Sequence, residues 1–278
     1  FTSPVAGALY ALVADHAVQG RVIFPGAGYL EMARAAGARA LQALYFLQPL
    51  AVEAPGLLVE CAISHGRVEV RSAEDSTLED AKLHCSGATA SSGSGRHVDR
   101  VWLRALAHAA DVGALYDTFD AAGLQYGPGY RTLMNAWGDT SNALARLRAR
   151  VTHERTGLHP ADLDDTLCTS AMIASSGETR LPFAVDDALL QGALGELWAV
   201  RSRISHCRDD NIPMLERSLV VLGVSFAGCR ATGTGGGRAA PRSCTRAAGG
   251  EPRRLQVARF ACRCRCADIT PPVRHRVE

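Results

Sequence analysis

Two residues far apart in the chain carry side chains suited to proton transfer. His16 stands in Asp15-His16-Ala17-Val18-Gln19-Gly20, which runs on to Phe24-Pro25-Gly26. Asp164 stands in Leu158-His159-Pro160-Ala161-Asp162-Leu163-Asp164-Asp165. Each motif lies beside the start of a predicted helix. One imidazole and one carboxyl from different halves of a chain form a general acid/base pair if the fold brings them together. The bland alternative for a histidine in an apolar stretch is a packed side chain, and Asp162, Asp165 and Asp15 compete with Asp164 for any acidic role.

The elements that would position this pair can be read twice along the chain. In the first half, Leu30, Ala33, Gly37, Leu41 and Leu44 fall at helical intervals, which predicts a helix from Gly28 to Leu44 behind Pro25 and Gly26. Strands are expected over 56–63, 67–71 and 78–90. A Ser/Gly-rich stretch over 90–95 reads as a linker. In the second half a helical segment lies near 111–122, with strands over 129–137 and 142–151. In the last of these, Ala145, Leu147, Ala149 and Val151 alternate with Arg146, Arg148 and Arg150, a two-residue period. Pro160 occupies a favoured first helical position, and a second long helix is expected to run to Ser175. Later strands are expected over 196–205 and 215–226. The periodicity therefore implies α+β architecture in two halves, 1–95 and 96–226, followed by an irregular Gly/Arg/Cys-rich tail over 227–278.

Composition narrows the classes. A chain of 278 residues, 47% hydrophobic, is long enough for one large domain or two small ones. A net charge of +2 gives no ground for a nucleic-acid partner, and Lys82 is the sole lysine. No apolar run is long enough to span a membrane. With no leader visible, the chain reads as a segment of a longer cytoplasmic polypeptide. Cys61, Cys85, Cys168 and Cys207 sit in apolar patterns as small hydrophobes. Cys262-Arg263-Cys264-Arg265-Cys266 lacks paired Cys-x2-Cys spacing and interposes arginines, so no metal site is expected. Gly233-Thr234-Gly235-Gly236-Gly237 has Arg238 where a dinucleotide fingerprint ends in glycine, and no helical pattern follows. No Gly-x-Ser-x-Gly elbow sits between a strand and a helix.

Five elements in one order carry a resemblance. They are His16/Gly20/Pro25; the helix opening Gly28-Tyr29-Leu30-Glu31-Met32-Ala33; Tyr126-Gly127-Pro128-Gly129-Tyr130; His159/Pro160/Asp164; and Leu181-Pro182-Phe183. Together they resemble the dehydratase domains of polyketide synthases and related fatty-acid synthases. The resemblance fades after about residue 226.

That resemblance implies a double hotdog, with each long helix wrapped by a curved antiparallel sheet. It implies loss of water from a β-hydroxyacyl thioester carried on the phosphopantetheine of an acyl carrier protein, with no cofactor of the domain's own. His16 would remove the α-proton. Asp164 would donate to the departing β-hydroxyl, its pKa raised by apolar burial. Backbone N–H groups around Gly26 would receive charge on the thioester oxygen. Gly127 and Pro128 would turn the chain against the substrate channel, close enough for a thioester arm. Tyr126 would contact substrate or fill core, and Leu181 and Phe183 would shape an apolar channel wall.

His159 is expected to cap or orient its helix, and His84 to lie on a structural strand. Cys168 stands where the family usually carries Gln or His to orient the Asp; a thiol is a weaker partner. Partners implied are the carrier protein, neighbouring synthase domains and a second copy in a homodimer. Alternatives on the same fold are a product-template-like cyclase, a double-bond-shifting domain and an inactive scaffold. The tail is compatible with a disordered linker, a divergent ending or a shifted reading frame.

Overall fold

A computed structural model describes residues 1–54, 56–74, 80–91, 108–169, 180–190, 196–204, 216–225 and 257–266. The first half contains β1 (Thr2–Pro4), α1 (Gly7–Val13), β2 (His16–Val18), β3 (Arg21–Val22), α2 (Gly26–Ala35), β4 (Ala40–Phe46), β5 (Leu58–Ser64), β6 (Arg67–Ala73) and β7 (Lys82–Thr89). The second contains β8 (His108–Ala110), α3 (Val112–Ala121), β9 (Leu124–Tyr126), β10 (Leu133–Gly138), β11 (Asn142–Leu147) and α4 (Pro160–Cys168). It continues with β12 (Arg180–Leu189), β13 (Glu196–Ile204), β14 (Glu216–Ser225) and β15 (Val257–Cys266).

Among the described residues, twelve strands form one antiparallel sheet in the order β1-β5-β6-β7-β4-β12-β15-β14-β13-β11-β10-β8. The two halves meet at β4 and β12, where Leu44 pairs with Val185 and Ala40 with Leu189. Helix α2 packs on β5, α4 packs on β13 and β14, and the two helices pack on each other. Their apolar faces are fully buried: Leu30 and Ala33 on α2, Leu163 and Leu167 on α4. A second, three-stranded sheet, β3-β2-β9, crosses between halves and sets His16 opposite Tyr126.

The first central helix is shorter than its periodicity predicts, and the reason is visible at both ends of the mismatch. It ends in a Schellman motif: Gly37 N–H donates to Arg34 O at 3.0 Å and Ala38 N–H to Ala33 O at 2.9 Å, with Gly37 at φ +105°. Residues 40–46 then form a strand carrying a bulge at Ala43, whose φ is +50°. The bulge puts Leu41 and Leu44 on the same buried face three residues apart, which mimics helical spacing. Gly87 on the neighbouring strand makes room for it, since a Cβ there would sit 2.7 Å from Leu44 Cδ1.

Three further readings change. The arginine-alternating strand stops at Leu147; Val151 is fully exposed and Arg150 turns to Asp162. The second central helix ends at Cys168, with Thr169 as its C-cap; residues 170–175 of the predicted helix lie outside the described residues. No regular element is expected beyond residue 226, yet Val257–Cys266 forms β15, inserted between β12 and β14. Its Val/Ala/Phe/Cys alternation with arginine is a strand pattern that the surrounding Gly/Arg composition conceals. Most of the predicted 90–95 linker, and Cys207, Cys229 and Cys244, lie outside the described residues.

Candidate active site

His16 is fixed at both its backbone and its ring. Its carbonyl accepts from Ile23 N–H at 3.1 Å, and its Nδ1 lies 2.7 Å from Ile23 O. A carbonyl oxygen only accepts, so Nδ1 carries a proton, and in the neutral tautomer of the ring the Nε2 lone pair is the one left over. Nε2 faces Asp164 Oδ2 at 3.7 Å. Both residues are buried, each 7% exposed. The rings of Tyr126 and Tyr130 lie 5.5 and 5.3 Å from the imidazole, centroid to centroid.

Asp164 is aimed by bonds that fix α4 from several sides. The His159 side chain caps the helix, Nδ1 accepting from Ala161 N–H at 3.2 Å. Burial, then the charge of Arg150, pushes the His159 pKa down to about 3, which suits a neutral acceptor. Arg150 donates to Asp162 Oδ2 at 2.8 Å; burial still raises the Asp162 pKa. Asp165 Oδ2 accepts from Thr132 N–H and Thr132 Oγ1, both at 2.6 Å, and from the Tyr116 hydroxyl at 2.8 Å. Complete burial outweighs those three donors, and the Asp165 pKa rises to about 7. With Asp162 and Asp165 anchored to opposite neighbours, the rotation of α4 is set and Asp164 between them projects toward His16.

Glu31 joins the two motifs. From the buried face of α2 it takes a bidentate bond from Arg34, at 2.6 and 2.8 Å, and accepts from Gly157 N–H at 2.8 Å and Leu158 N–H at 3.1 Å. The loop entering α4 is thereby tied to the helix that follows the His16 hairpin.

The other predicted site residues fall in different places. Tyr126 is buried beside the pair, its hydroxyl 3.2 Å from Cys168 Sγ. Burial first, then the charge of Asp164, raises its phenol pKa well above the ordinary range, so the hydroxyl stays protonated. Cys168 lies one turn beyond Asp164. Gly127 makes a close backbone approach to Asp15: a Cβ on Gly127 would stand 2.4 Å from Asp15 Oδ1, and one on Gly129 2.7 Å from Asp15 Oδ2. Asp15 accepts from both N–H groups, through its backbone oxygen at 2.8 Å and its carboxylate at 2.6 Å.

Pro128 is exposed, and its carbonyl accepts from Arg148. Gly26 opens α2 and packs against the Phe46 ring. Leu181 and Phe183 lie on β12; their side chains fall outside the described residues.

The sequence reading assigns no role to Glu31, Tyr130 or Tyr116 and treats Asp165 only as a competitor. An available signal for Glu31 is an acid and an arginine at i,i+3 on an otherwise apolar helix face. Tyr130 stands in the quoted Tyr-Gly-Pro element, next to the glycine that receives Asp15. Tyr130 Oη and Asp164 Oδ2 are buried without hydrogen-bond partners among the described residues.

Comparison with known proteins gives a consistent neighbourhood. A family described as polyketide synthase dehydratase domain matches residues 1–79, and one described as polyketide synthase dehydratase N-terminal domain matches residues 97–223. Polyketide synthase ThaG of Burkholderia thailandensis is 33% identical over 69% of this chain, which spans 4% of that relative's length. Two solved structures share the fold. An inactive CurK dehydratase with phenylalanine for a histidine has TM-score 0.69 and 17% identity over 96% of this chain and 90% of its own. An inactive CurK dehydratase with asparagine for an aspartate has TM-score 0.68 and 17% identity over 95% and 90%. The sheet that joins its halves at β4–β12 around two packed helices is the double hotdog, and the chain belongs to the polyketide synthase dehydratase domain family.

Proposed function

We propose that this domain is a hydro-lyase of the 3-hydroxyacyl-[acyl-carrier-protein] dehydratase type, giving an α,β-unsaturated thioester. The observation that carries the reading is the 3.7 Å approach of His16 Nε2 to Asp164 Oδ2 between two buried residues. In the neutral ring, whose Nδ1–H is committed to Ile23, His16 Nε2 takes the α-proton that the thioester carbonyl acidifies. Asp164, protonated at the start of the cycle, passes its proton to the β-hydroxyl, and water leaves as the double bond forms. N–H groups at the opening of α2, around Gly26, stabilise negative charge on the thioester oxygen. A buried acid oxygen and a buried phenol without hydrogen-bond partners among the described residues are the groups a bound hydroxyacyl chain would satisfy.

The inactivity of CurK variants altered at one histidine and at one aspartate supports the same pair of chemistries here. The domain's context in relatives many times longer supports neighbouring synthase domains; a carrier protein as the source of substrate and a homodimeric assembly belong to the same proposal. Among the described residues no helix is long and apolar enough to cross a membrane. The test is incubation with a 3-hydroxyacyl thioester. Loss of water that disappears in His16→Ala and Asp164→Asn is expected, and no loss of water from carrier-bound or free thioesters would overturn the assignment.

A further inference from the structure

Resting on the dehydration reading above, we infer that the Cys168 thiol is a covalent acceptor for α,β-unsaturated thioesters formed in, or delivered to, this site. Cys168 follows Asp164 by one turn of α4, so the two side chains share a helix face. Its Sγ lies 3.2 Å from the Tyr126 hydroxyl, and the Tyr126 ring stands beside the His16 ring. Asp164 Oδ2 is buried, has no hydrogen-bond partner among the described residues and faces His16 Nε2 at 3.7 Å. On the dehydration reading the β-carbon lies beside Asp164, and therefore on the helix face that carries Cys168.

The protonation state left by dehydration favours addition. After water departs, His16 holds the former α-proton as imidazolium and Asp164 is a carboxylate. That arrangement adds a nucleophile across the new double bond; with water it is the reverse reaction. With Cys168, the thiol proton passes to the Asp164 carboxylate, with the Tyr126 hydroxyl in contact with Sγ to relay it. A bond forms between Sγ and the β-carbon. The displaced π pair moves to the α-carbon, which takes its proton from His16 Nε2. The product is a thioether containing every atom of the thiol and the enoyl thioester, and no oxidant or reductant is required. Both His16 and Asp164 return to their starting states. For an enoyl thioester delivered from solution, the same imidazolium–carboxylate state is reached by passing the Asp164 proton to His16 Nε2 across their 3.7 Å contact. A thiol is the better nucleophile of the two, so the adduct accumulates while hydration stays reversible.

The probe is the N-acetylcysteamine thioester of trans-but-2-enoic acid, incubated with the domain. Hydration is followed by chromatography of the 3-hydroxy product, and covalent addition by intact mass and peptide mapping. The expected result is addition of one thioester mapped to Cys168 and absent with the saturated butanoyl analogue. In His16→Ala it should be slowed by about 100-fold, the scale of one proton-transfer group. Cys168→Ser should remove it, and the map of the unsubstituted protein decides the matter even if that variant fails to fold. Hydration with no addition at Cys168, or addition equally fast in His16→Ala, would overturn this inference and leave the dehydration reading intact. Neither hydration nor addition would overturn both.

Discussion

The ring of His16 donates through Nδ1 to the carbonyl of Ile23 at 2.7 Å, and this bond decides which nitrogen faces Asp164. The two residues are also joined in the other direction, Ile23 N–H to His16 O. A turn seven residues long thus sets both the orientation and the tautomer of the imidazole before any substrate arrives. The same Ile23 leads directly into α2, so ring and helix start move as one piece.

His16→Ala removes the base, and Asp164→Asn removes the proton donor while keeping the shape. Each should lower turnover of a 3-hydroxyacyl thioester by about 100- to 10,000-fold. Circular dichroism should change little for Asp164→Asn, because the substitution keeps the size and shape of the side chain. A variant with near-native turnover would remove that residue from the chemistry.

Gly127→Ala tests the backbone contact behind His16. The added methyl would meet Asp15 Oδ1 at 2.4 Å, so Asp15 must move and carry its neighbour His16 with it. A loss of about 1 to 3 kcal/mol in stability is expected from the forced contact, together with reduced turnover. Trimming the obstacle in Asp15→Ala/Gly127→Ala should recover part of the loss, measured as a double-mutant cycle by chemical denaturation.

Glu31→Gln breaks the carboxylate that receives Arg34, Gly157 and Leu158. The neutral amide keeps one accepting oxygen but weakens the bidentate pairing with Arg34. Stability should fall by about 1 to 3 kcal/mol. Amide hydrogen exchange should quicken at Gly157 and Leu158 more than in β5–β7, and unchanged protection there would contradict the bracing role.

Asp165 makes the stability pH-dependent in a defined direction. Its folded pKa of about 7 lies above the ordinary 3.8, so the folded state holds a proton that the unfolded chain has released. The contribution is fully present below about pH 3.8 and is lost as pH rises toward 7. Asp165→Asn cannot ionise and can still accept from Thr132 and Tyr116. Its melting temperature relative to the parent should therefore climb across that window and level off above it. A difference that does not vary with pH would show that Asp165 stays ionised when buried.

Short-range features could be read from the order of residues. Pro160 at a helix start, the alternation in β6 and β11, and the two motifs around His16 and Asp164 rest on preferences that act within a few residues. The length of α2 did not follow, because Leu41 and Leu44 repeat at a helical interval for a different reason: a bulge in β4 with Gly87 opposite it. Nor did β15, whose strand pattern acquires meaning only when β12 and β14 supply hydrogen-bonding edges on either side.

At the site, residue types and spacing singled out His16 and Asp164, and the family resemblance added Tyr126 and Cys168, whereas their distances depended on tertiary structure. The β2–β9 pairing brings Tyr126 beside His16. Glu31, Arg150, Thr132 and Tyr116 then hold α4 at one rotation and one height. Side chains so far apart in sequence meet only through long-range pairing and burial, and those energies belong to the packed chain as a whole.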